Sequence, residues 1–515
     1  MLKMRLEKYE ILIVFFIIFL TIFLNFFSFL SRSWQTPPGR IFSGAQFYTD
    51  DYAVYVSYIR QGQEGRWTTT DKFTSEPHPS SLIHEEYLLW GKLTGLFRLS
   101  PIFSYHLARL IFGLLFLLLI YFFLKKVFPS LKEFPQRLLA LILICLGNGF
   151  LDKSGQPFLS WLTEADSTQR FACLPHYLIG FSFSLAIFNW YFSENKNWLL
   201  PFLFGLALGF VLPSSFLVVF ATLVVFFLFS KKSFRLAFLL AILFLSFLPS
   251  FFYYQKIFQV PPWSHIFAWE KANRPAFSFW QYLAALGPTA FLFPLGIFAP
   301  KEKRSWAIFF FSLVGVVFLF AFFAAAKLNL NPTRFLQFPL FLPFAVLTIF
   351  GFSRFLKKPF LLALATAFLL VITLPTSFVS LKNQKEMYAD FSELIYPGRE
   401  LVEAFGFLAK NTSPSKTVLT LYQAGNLIPF FAGNKVYLGH LQETLNYPLK
   451  VKLAEDFFAG KMSPSQAKEF LSQGKIDLVF LSPQEKSLGG KIEVYPFLKS
   501  VYQSQTITIF EFKND

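Results

Sequence analysis

Residues 11–30 read ILIVFFIIFLTIFLNFFSFL, twenty consecutive residues without a charge. A helical crossing of a hydrocarbon layer needs roughly 20 apolar residues, so this stretch predicts a transmembrane helix. Three basic residues precede it, Lys3, Arg5 and Lys8. The residues that follow it, 31–35, do not form the small-residue cleavage site of a secretory signal peptide. We therefore expect a retained anchor with its N-terminus in the cytoplasm.

The same apolar pattern recurs as far as residue 375. Hydrophobic residues make up 54% of the 515-residue chain, and 75 residues are phenylalanine, which is more apolar surface than a soluble core needs. Ten further spans are predicted at 105–124, 137–150, 173–192, 198–212, 213–230, 235–252, 279–299, 305–326, 335–352 and 359–375. The fold class that follows is an α-helical polytopic membrane domain, residues 1–375, with about eleven transmembrane helices.

The charge pattern decides whether 198–212 and 213–230 cross separately, since only a short turn containing Pro213 divides them. If both cross, five basic loops lie on the same side as the N-terminus, as the positive-inside rule requires. These loops contain Lys125, Lys126, Lys132 and Arg137; Lys196; Lys231, Lys232 and Arg235; Lys301, Lys303 and Arg304; and Arg354, Lys357 and Lys358. We predict a multi-pass protein of the inner (plasma) membrane with an extracytoplasmic C-terminal domain.

The formal net charge of +17 does not indicate a nucleic-acid partner. Residues 376–515 hold 15 Lys and Arg against 14 Asp and Glu, so the basic excess lies in the membrane part. That excess is explained by topology, and a nucleic-acid-binding face would need basic residues clustered in the soluble domain. The two cysteines, Cys145 and Cys173, lie in apolar spans, so neither a disulfide framework nor a metal-binding cysteine cluster is expected.

The C-terminal domain, residues 376–515, alternates the signals of strands and helices. Strands are predicted at 417–422, 435–438, 477–481 and 506–512, and a helix at 399–409. Ser463, Pro464 and Gln466 form the pattern of a capping box with proline at the first helical position. These signals predict a small soluble α/β domain, and no glycine-rich nucleotide-binding motif accompanies them.

The loop between the first two spans, residues 31–104, is the longest of the predicted outer loops. It contains two amphipathic segments, one from Asp50 to Gly62 and one over 82–98, which predict short helices at the membrane interface. Long ordered loops usually carry function. We therefore expect chemistry in this loop.

The most informative motif is Tyr48-Thr49-Asp50-Asp51-Tyr52, immediately before the first interfacial helix. Two adjacent carboxylates at a membrane surface are costly to desolvate. Capping of the helix explains one aspartate without function. Since one aspartate can cap while the other points into a cavity, we favour a functional pair, with Tyr48 and Tyr52 beside it in the substrate cavity.

This layout resembles the GT-C glycosyltransferases that use polyprenyl-phosphate-linked sugars, such as protein O-mannosyltransferases and lipid A aminoarabinose transferases. The resemblance covers residues 1–375: an acidic pair in a long first outer loop, two interfacial helices there, many further spans and an outer tail. Segments of the tail, Tyr437 to His440 and Gln442 to Thr444, resemble tails of uncharacterised bacterial members. The resemblance implies a sugar transferase in which Asp50 or Asp51 is the catalytic base.

The donor that the resemblance implies carries a lipid phosphate, whose negative charge on departure needs cations nearby. The predicted phosphate-binding residues are Arg334, Lys327, Arg170 and Arg274, with Lys271 a further outer-facing candidate. Snorkelling to lipid head groups explains Arg334 equally well. An internal salt bridge with Glu164 or Asp166 explains Arg170 at least as well.

The remaining cavity candidates are polar residues of the outer loops. His78, Glu164, Asp166 and His176 are predicted to line the substrate cavity. The Glu and His residues do not form a recognised metal-ligand spacing, so solvated loop residues remain the simpler interpretation of His78 and His84. A divalent metal is compatible with the chemistry but not indicated, and no cofactor is predicted. Trp263, Trp269 and Trp280 can stack on a sugar, although an interfacial aromatic belt explains them more simply.

Three alternatives remain beside transfer of a sugar to a lipid, glycan or protein acceptor. A transporter or flippase of lipid-linked glycans is disfavoured, because Arg109 is the exception in spans with almost no charge. A glycan ligase or oligosaccharyltransferase shares the layout, but the Trp-Trp-Asp motif of oligosaccharyltransferases is absent. A membrane scaffold with a partner-binding tail also fits the sequence.

Overall fold

The computed structural model describes residues 2–46, 48–230, 233–328, 330–386 and 392–513, which form two compact units. The membrane unit comprises Met1–Ser28, Leu107–Tyr253 and Glu270–Glu386. The loop-tail unit comprises Phe29–His106, Tyr254–Trp269 and Met387–Asp515. The first long loop belongs to the same unit as the C-terminal segment.

The membrane unit consists of apolar helices, as the sequence predicts, and the chain is a multi-pass membrane protein. Each of the eleven predicted spans coincides with a helix or a broken helix. Their bounds are Leu2–Trp34, Pro101–Val127, Phe134–Leu146, Pro175–Tyr191, Leu199–Val211, Pro213–Phe229, Phe234–Ile257, Phe279–Leu286 followed by Pro288–Leu292 and Phe293–Phe298, Arg304–Leu319 continued to Leu328, Thr333–Leu336 followed by Phe341–Phe355, and Pro359–Glu386.

Helix length limits which of these elements cross a membrane unaided. Within the described residues, five helices are long and apolar enough: Lys8–Trp34, Pro101–Val127, Phe234–Ile257, Lys301–Lys327 and Pro359–Gln384. The helices on either side of Pro213 are separate, as predicted. However, a helix of 13 residues such as Leu199–Val211 is about 20 Å long, less than the roughly 30 Å of a hydrocarbon core. The number of crossings therefore stays a prediction.

The segment predicted as one span at 279–299 is bent by 117° between Leu286 and Pro288. The break occurs at Gly287. Gly287 lies in the left-handed region with φ of 77°, and a Cβ there would sit 1.9 Å from the carbonyl oxygen of Asn148. Only glycine fits this turn, and the following proline cannot continue the preceding helix. This segment is thus a broken span or a re-entrant loop.

One ion pair joins a basic loop of the membrane unit to the start of the first helix, and a second joins two basic loops to each other. Arg137 Nη2 lies 2.7 Å from Glu10 Oε1, with both side chains buried. Lys303 Nζ lies 2.6 Å from Glu133 Oε1. Two loops predicted to be cytoplasmic therefore lie at the same end of this unit as the N-terminus, as the charge pattern requires.

The opposite end of the first helix contacts a different loop. Asn25 donates to the carbonyl of Ser167 at 2.9 Å and accepts from the N–H of Phe171 at 2.8 Å. Gln384, near the end of the last helix, donates to Thr168 at 2.8 Å. The loop 151–172 and the end of the last helix therefore lie together, away from the basic loops. Which membrane side each end faces stays a prediction.

The loop-tail unit contains the two predicted interfacial helices of the long loop, at Thr49–Gln63 and Glu85–Gly95. They pack closely because glycine faces glycine: a Cβ at Gly62 would lie 2.0 Å from the carbonyl oxygen of Leu88, and one at Gly91 would lie 2.1 Å from that of Ile59. The helices of the C-terminal segment are Ser392–Ile395, Arg399–Asn411, Tyr422–Phe431, Tyr447–Phe458, Pro464–Gln473 and Pro483–Lys486.

The C-terminal segment also forms a five-stranded mixed sheet, which confirms the predicted α/β domain. The strands are β1 (Thr417–Leu419), β2 (Lys435–Val436), β3 (Leu478–Leu481), β4 (Leu498–Gln503) and β5 (Thr508–Phe512). Their order is β2-β1-β3-β5-β4, with β1 parallel to β2 and β3, and with β5 antiparallel to both β3 and β4. Strand β4 is missing from the sequence prediction, because its residues are partly exposed and lack a continuous apolar run.

A hydrophobic core holds helices against this sheet. It includes the buried residues Phe457, Phe470 and Val479. The predicted capping box is present, since Ser463 accepts from the N–H of Gln466 and the Gln466 side chain accepts from the N–H of Ser463. The helix that it starts is thereby fixed at the edge of the core.

Hydrogen bonds join the long loop to the C-terminal segment within the loop-tail unit. The N–H of Val436 donates to the carbonyl of Lys72 at 2.9 Å, and the Thr444 hydroxyl donates to the carbonyl of Phe73 at 2.7 Å. Lys450 Nζ lies 2.7 Å from Glu76 Oε2. These contacts bring the Asp50-Asp51 motif and the C-terminal segment into one folded body.

Candidate active site

The aspartate pair lies in the first turn of its helix. The helix begins at Thr49, so Asp50 and Asp51 are its second and third residues. The residue in the capping position is Tyr48, which makes no side-chain capping hydrogen bond and lies in the left-handed region with φ of 50°. Neither aspartate is therefore the capping residue. Strained backbone at a non-glycine residue is often found at functional sites, and here it immediately precedes the pair.

Asp50 is held by a tyrosine of the C-terminal segment. The Tyr422 hydroxyl lies 2.7 Å from Asp50 Oδ1 and 2.8 Å from Oδ2. Burial raises the pKa of Asp50, and the neighbouring Asp51 raises it further, while His440 and the tyrosine hydrogen bond lower it. The net effect is a carboxylate more basic than an ordinary aspartate. Burial and Asp50 also raise the pKa of Tyr422, so the phenol keeps its proton and donates it.

Asp51 faces a buried histidine of the same segment. Its Oδ1 lies 3.5 Å from His440 Nε2, and the Asp51 side chain is 38% exposed whereas that of His440 is 1% exposed. His440 Nδ1 accepts from the N–H groups of Gln442 at 3.1 Å and Glu443 at 3.2 Å. Since Nδ1 acts as an acceptor, a neutral ring carries its proton on Nε2. The contact of Nε2 with Asp51 is an electrostatic one, because it does not have the geometry of a hydrogen bond.

The charge state of His440 depends on opposing effects. Burial lowers the pKa of His440, but the carboxylates of Asp51, Glu443 and Asp50 raise it, and the net direction is upward. The two N–H donors on Nδ1 oppose a second proton at that atom. In either charge state, Nε2 carries a proton and lies 3.5 Å from Asp51 Oδ1.

Two further carboxyl groups are buried near this histidine. Burial raises the pKa of Glu443, with Asp51 raising it further and His440 lowering it. Burial and Glu443 raise the pKa of Asp71 well above its ordinary value. Asp71 is 1% exposed, and its Oδ1 accepts from the N–H of Phe73 at 2.7 Å. The buried side of the site thus favours protonated carboxyl groups, while Asp51 reaches solvent.

The structure places the other predicted cavity residues of this unit as supports. Tyr52 is 2% exposed, and its hydroxyl donates to the carbonyl of Ser43 at 2.9 Å. His78 is half-buried with Nδ1 2.8 Å from the carbonyl oxygen of Glu76, and burial lowers its pKa. Trp263 is fully buried and donates to the carbonyl of Pro79 at 3.1 Å. Because its side chain is fully buried, Trp263 neither stacks on a sugar nor belongs to an aromatic belt at the membrane interface.

A second cluster lies in the membrane unit around Arg334. Its guanidinium forms a two-pronged ion pair with Glu270, with Nε 3.2 Å from Oε2 and Nη2 in contact with Oε1. Arg334 Nη1 also donates to the Tyr177 hydroxyl at 3.0 Å, and that hydroxyl donates to Gln337 at 2.7 Å. The Arg334 side chain is 40% exposed. It therefore belongs to an ordered polar cluster, which simple snorkelling to head groups does not require.

Glu164 lies buried in the electrostatic neighbourhood of this cluster. It is 3% exposed, and neither carboxylate oxygen has a hydrogen bond of ordinary geometry. Burial raises the pKa of Glu164 to about 7, with its own N–H, the Thr163 hydroxyl and Arg334 lowering it only in part. A buried carboxyl of this kind changes charge near neutral pH.

Two of the predicted residues instead hold the loop 151–172 in place. Arg170 is 2% exposed, and its guanidinium donates to the carbonyls of Ile144 at 2.9 Å, Gly147 at 3.0 Å and Ala165. Asp166 accepts from the backbone and side chain of the same loop, including Thr168. The hydrogen bonds of Arg170 therefore go to backbone carbonyls, and neither proposed salt bridge with Glu164 or Asp166 forms a direct contact pair among the described residues.

The remaining predicted cations and His176 differ in exposure. Lys327 and Lys271 are exposed, Arg274 is half-buried, and His176 is buried with its ring centroid 4.3 Å from that of Tyr177. The structure thus places Arg334, Glu164 and His176 near Tyr177. Arg170 instead donates hydrogen bonds to backbone carbonyls. The phosphate-binding role of these residues stays a prediction.

Sequence reasoning missed Tyr422, His440 and Glu270 as site residues. Each contacts its partner across a long stretch of chain: 372 residues separate Asp50 from Tyr422, and 64 separate Glu270 from Arg334. The one available signal was a histidine after Gly439 in an otherwise apolar segment. Such a signal does not identify the partner.

Comparison with known proteins shows the fold. No protein-family model and no curated protein matches the sequence. Among solved structures, the archaeal oligosaccharyltransferase AglB from Archaeoglobus fulgidus, in complex with an inhibitory peptide and a dolichol-phosphate, is similar with a TM-score of 0.56 at 12% identity over 96% of this chain and 73% of that chain. ArnT from Cupriavidus metallidurans in the apo state gives 0.50 at 13% identity over 97% of both chains.

The arabinofuranosyltransferase AftD from Mycobacteria gives a TM-score of 0.51 at 12% identity, covering 98% of this chain and 42% of that chain. The chain has the GT-C fold. This confirms the fold that the sequence resemblance implied. In the GT-C fold seen here, the long first loop carries the acidic pair and folds together with the C-terminal segment.

Proposed function

We propose that this protein is an integral-membrane glycosyltransferase that moves a sugar from a polyprenyl-phosphate donor to an extracytoplasmic acceptor, with Asp50 and Asp51 as the catalytic base. The observation that carries the proposal is the geometry of the pair. Two adjacent carboxylates lie in the first turn of a helix. Asp50 accepts a hydrogen bond from Tyr422, and Asp51 lies 3.5 Å from Nε2 of His440. One of the two remains open to solvent. The GT-C fold, which AglB shares while its structure contains a dolichol-phosphate, supports this class of donor.

The proposed reaction is a direct displacement at the anomeric carbon. The acceptor oxygen forms a bond to that carbon as the bond from the carbon to the phosphate oxygen breaks. An aspartate takes the acceptor proton, and the lipid phosphate leaves with the bonding electron pair. Attack opposite the leaving group inverts the anomeric centre. We favour Asp50 as the base, because burial raises its pKa above that of an ordinary aspartate.

The proposed binding residue for the donor phosphate is Arg334. Arginine binds phosphate oxygens in the two-pronged geometry that Arg334 uses here for the Glu270 carboxylate. An arriving phosphate would therefore compete with Glu270 for the guanidinium. The acceptor is a lipid, glycan or protein hydroxyl, and the catalytic face is extracytoplasmic in the topology that the charge pattern predicts.

The test uses the purified full-length protein in detergent, a short-chain polyprenyl-phosphate sugar labelled in the sugar, and an envelope extract as the acceptor source. We expect release of polyprenyl phosphate together with label in the acceptor fraction, and an anomeric configuration opposite to that of the donor. A nucleotide sugar serves as the matched donor control and should give no product. Movement of intact donor across a reconstituted vesicle without sugar release would instead show a flippase.

A further inference from the structure

The C-terminal segment approaches both aspartates of the proposed base with the side chains of Tyr422 and His440. Tyr422 begins the helix Tyr422–Phe431, and His440 follows strand β2. Both side chains reach the first turn of the helix Thr49–Gln63. Gly425 and Gly439 pack backbone to backbone within the C-terminal segment, where a Cβ at Gly425 would lie 2.3 Å from the carbonyl oxygen of Leu438. This packing brings the helix that Tyr422 begins close to the backbone that carries His440.

We propose that Tyr422 and His440 are positioning residues for the catalytic base, so that the C-terminal segment completes the active centre. This rests on the proposed function above. Tyr422 holds Asp50 by donating one proton between its two carboxylate oxygens. His440 orients Asp51 through the electrostatic contact of Nε2 with Oδ1 at 3.5 Å. Neither needs to touch the substrate.

The role of Tyr422 follows from its geometry. A phenol that is 2.7 and 2.8 Å from the two oxygens fixes the plane of the carboxylate. It also stabilises the ionised form of Asp50, which is the form that accepts a proton. The charged or titratable groups that face Asp50 are Asp51 on its own helix and Tyr422, His440 and Tyr447 on the C-terminal segment.

The role of His440 is limited by its other nitrogen. Because Nδ1 already accepts from two backbone N–H groups, the ring does not pass a proton onward through that atom. His440 therefore orients Asp51 and does not relay protons. This distinction makes glutamine, whose side-chain amide can donate from nearly the same position as Nε2, the conservative replacement.

The first experiment compares Tyr422→Phe with the parent in the pH profile of kcat/KM for sugar transfer. Loss of the hydrogen bond raises the pKa of Asp50, and only ionised Asp50 is active, so the acid limb moves to higher pH. We expect kcat/KM at the lower end of the profile to fall about tenfold or more. The control is Tyr495→Phe, which also removes a buried tyrosine hydrogen bond, to the Met462 carbonyl at 2.8 Å, but lies away from the pair. An acid limb unchanged in Tyr422→Phe would overturn the proposal.

The second experiment compares His440→Leu with His440→Gln. Positioning through the N–H at Nε2 predicts a loss of about tenfold or more for leucine and substantial rescue by glutamine, at equal folding. If both variants fold like the parent and lose sugar-transfer activity equally, His440 does not position Asp51. Failure of the base itself is distinguishable, since parental transfer rates in both Asp50→Asn and Asp51→Asn reject the proposed function whatever Tyr422 and His440 do.

Discussion

Asp50 and Asp51 are neighbours in sequence, yet their side chains meet different partners. Successive residues of a helix point about 100° apart, which lets one carboxylate reach Tyr422 while the other reaches His440. Burial raises the pKa of Asp50, and the neighbouring Asp51 raises it further. Asp50 is thus the more buried carboxylate and is held by Tyr422, whereas Asp51 is more exposed and lies beside His440. We therefore expect substitutions of the two aspartates to differ in effect.

Arg334→Ala is expected to weaken donor binding while the protein stays folded. The side chain is 40% exposed and its main partner is another side chain, so its loss leaves little backbone unsatisfied. Affinity for a polyprenyl-phosphate sugar should fall about tenfold or more, as for loss of a charge-assisted contact. Binding to purified parent and variant is the measurement.

Glu270→Gln is the matched control for Arg334→Ala, because it breaks the same ion pair and leaves the guanidinium in place. Donor affinity should be kept or increased in this variant. If both variants bind the donor as the parent does, Arg334 has no part in phosphate recognition.

Glu164→Gln is expected to change the pH dependence of stability. Burial raises the folded-state pKa of Glu164 to about 7 from 4.5, so between these values the folded protein holds a proton that the unfolded chain releases. This group therefore lowers stability as pH rises from about 4.5 to 7, by up to about 3 kcal/mol. Relative to the parent, the glutamine variant should gain stability from pH 5 to pH 8 in unfolding measurements. If the difference in stability between the variant and the parent is the same at every pH, the pKa of Glu164 is not raised by folding.

At the scale of single elements, the loop 151–172 depends on Arg170. Its guanidinium is buried and donates to three backbone carbonyls, so Arg170→Ala should leave buried acceptors unpaired and lower the free energy of unfolding by about 1–3 kcal/mol or more. Thermal unfolding in detergent measures this. The control Arg354→Ala removes an exposed arginine of a basic loop and should change stability little. If Arg170→Ala is as stable as Arg354→Ala but fails to bind donor, Arg170 binds phosphate as the sequence first suggested.

Elements set by local chemistry are predictable from the sequence. The helix after Asp50, the capping box at Ser463 and the break at Pro213 each depend on a few adjacent residues, and the structure contains all three. The bend at Gly287 was missed because it depends on the carbonyl of Asn148, more than a hundred residues earlier. The same limit applies to Tyr422 and His440, whose functional meaning comes only from contact with the distant aspartates.

At the scale of the whole molecule, the sequence predicts a sidedness that follows from charge. A tag at the C-terminus should be extracytoplasmic, while tags in 125–137 and 301–304 should be cytoplasmic, because basic loops stay inside. The ion pairs that join Glu10 to Arg137 and Glu133 to Lys303 already place these loops with the N-terminus in the membrane unit. Protease protection or reporter fusions give the measurement. A cytoplasmic C-terminus would mean an even number of crossings. The bent segment 279–299 would then be the first candidate for a re-entrant loop that does not cross the membrane.

The long loop and the C-terminal segment are far apart in the sequence but belong to the same compact unit. The loop carries the aspartates and the segment carries their partners, and both belong to one folded unit. Damage to that unit therefore affects catalysis and folding together. A test of the proposed base must separate these effects by using substitutions that keep size and hydrogen-bonding capacity.

The most direct measurement is the rate of sugar transfer from a polyprenyl-phosphate donor by Asp50→Asn and Asp51→Asn, each shown by thermal unfolding and detergent-stable purification to be folded like the parent. Asparagine keeps the size of aspartate and costs about 1 kcal/mol or less where the role is structural, but an amide does not accept the acceptor proton. We predict that at least one variant, with Asp50→Asn the more impaired, loses about 10²–10⁴-fold in rate. Parental transfer rates in both folded variants would contradict the account and leave the pair without a catalytic role.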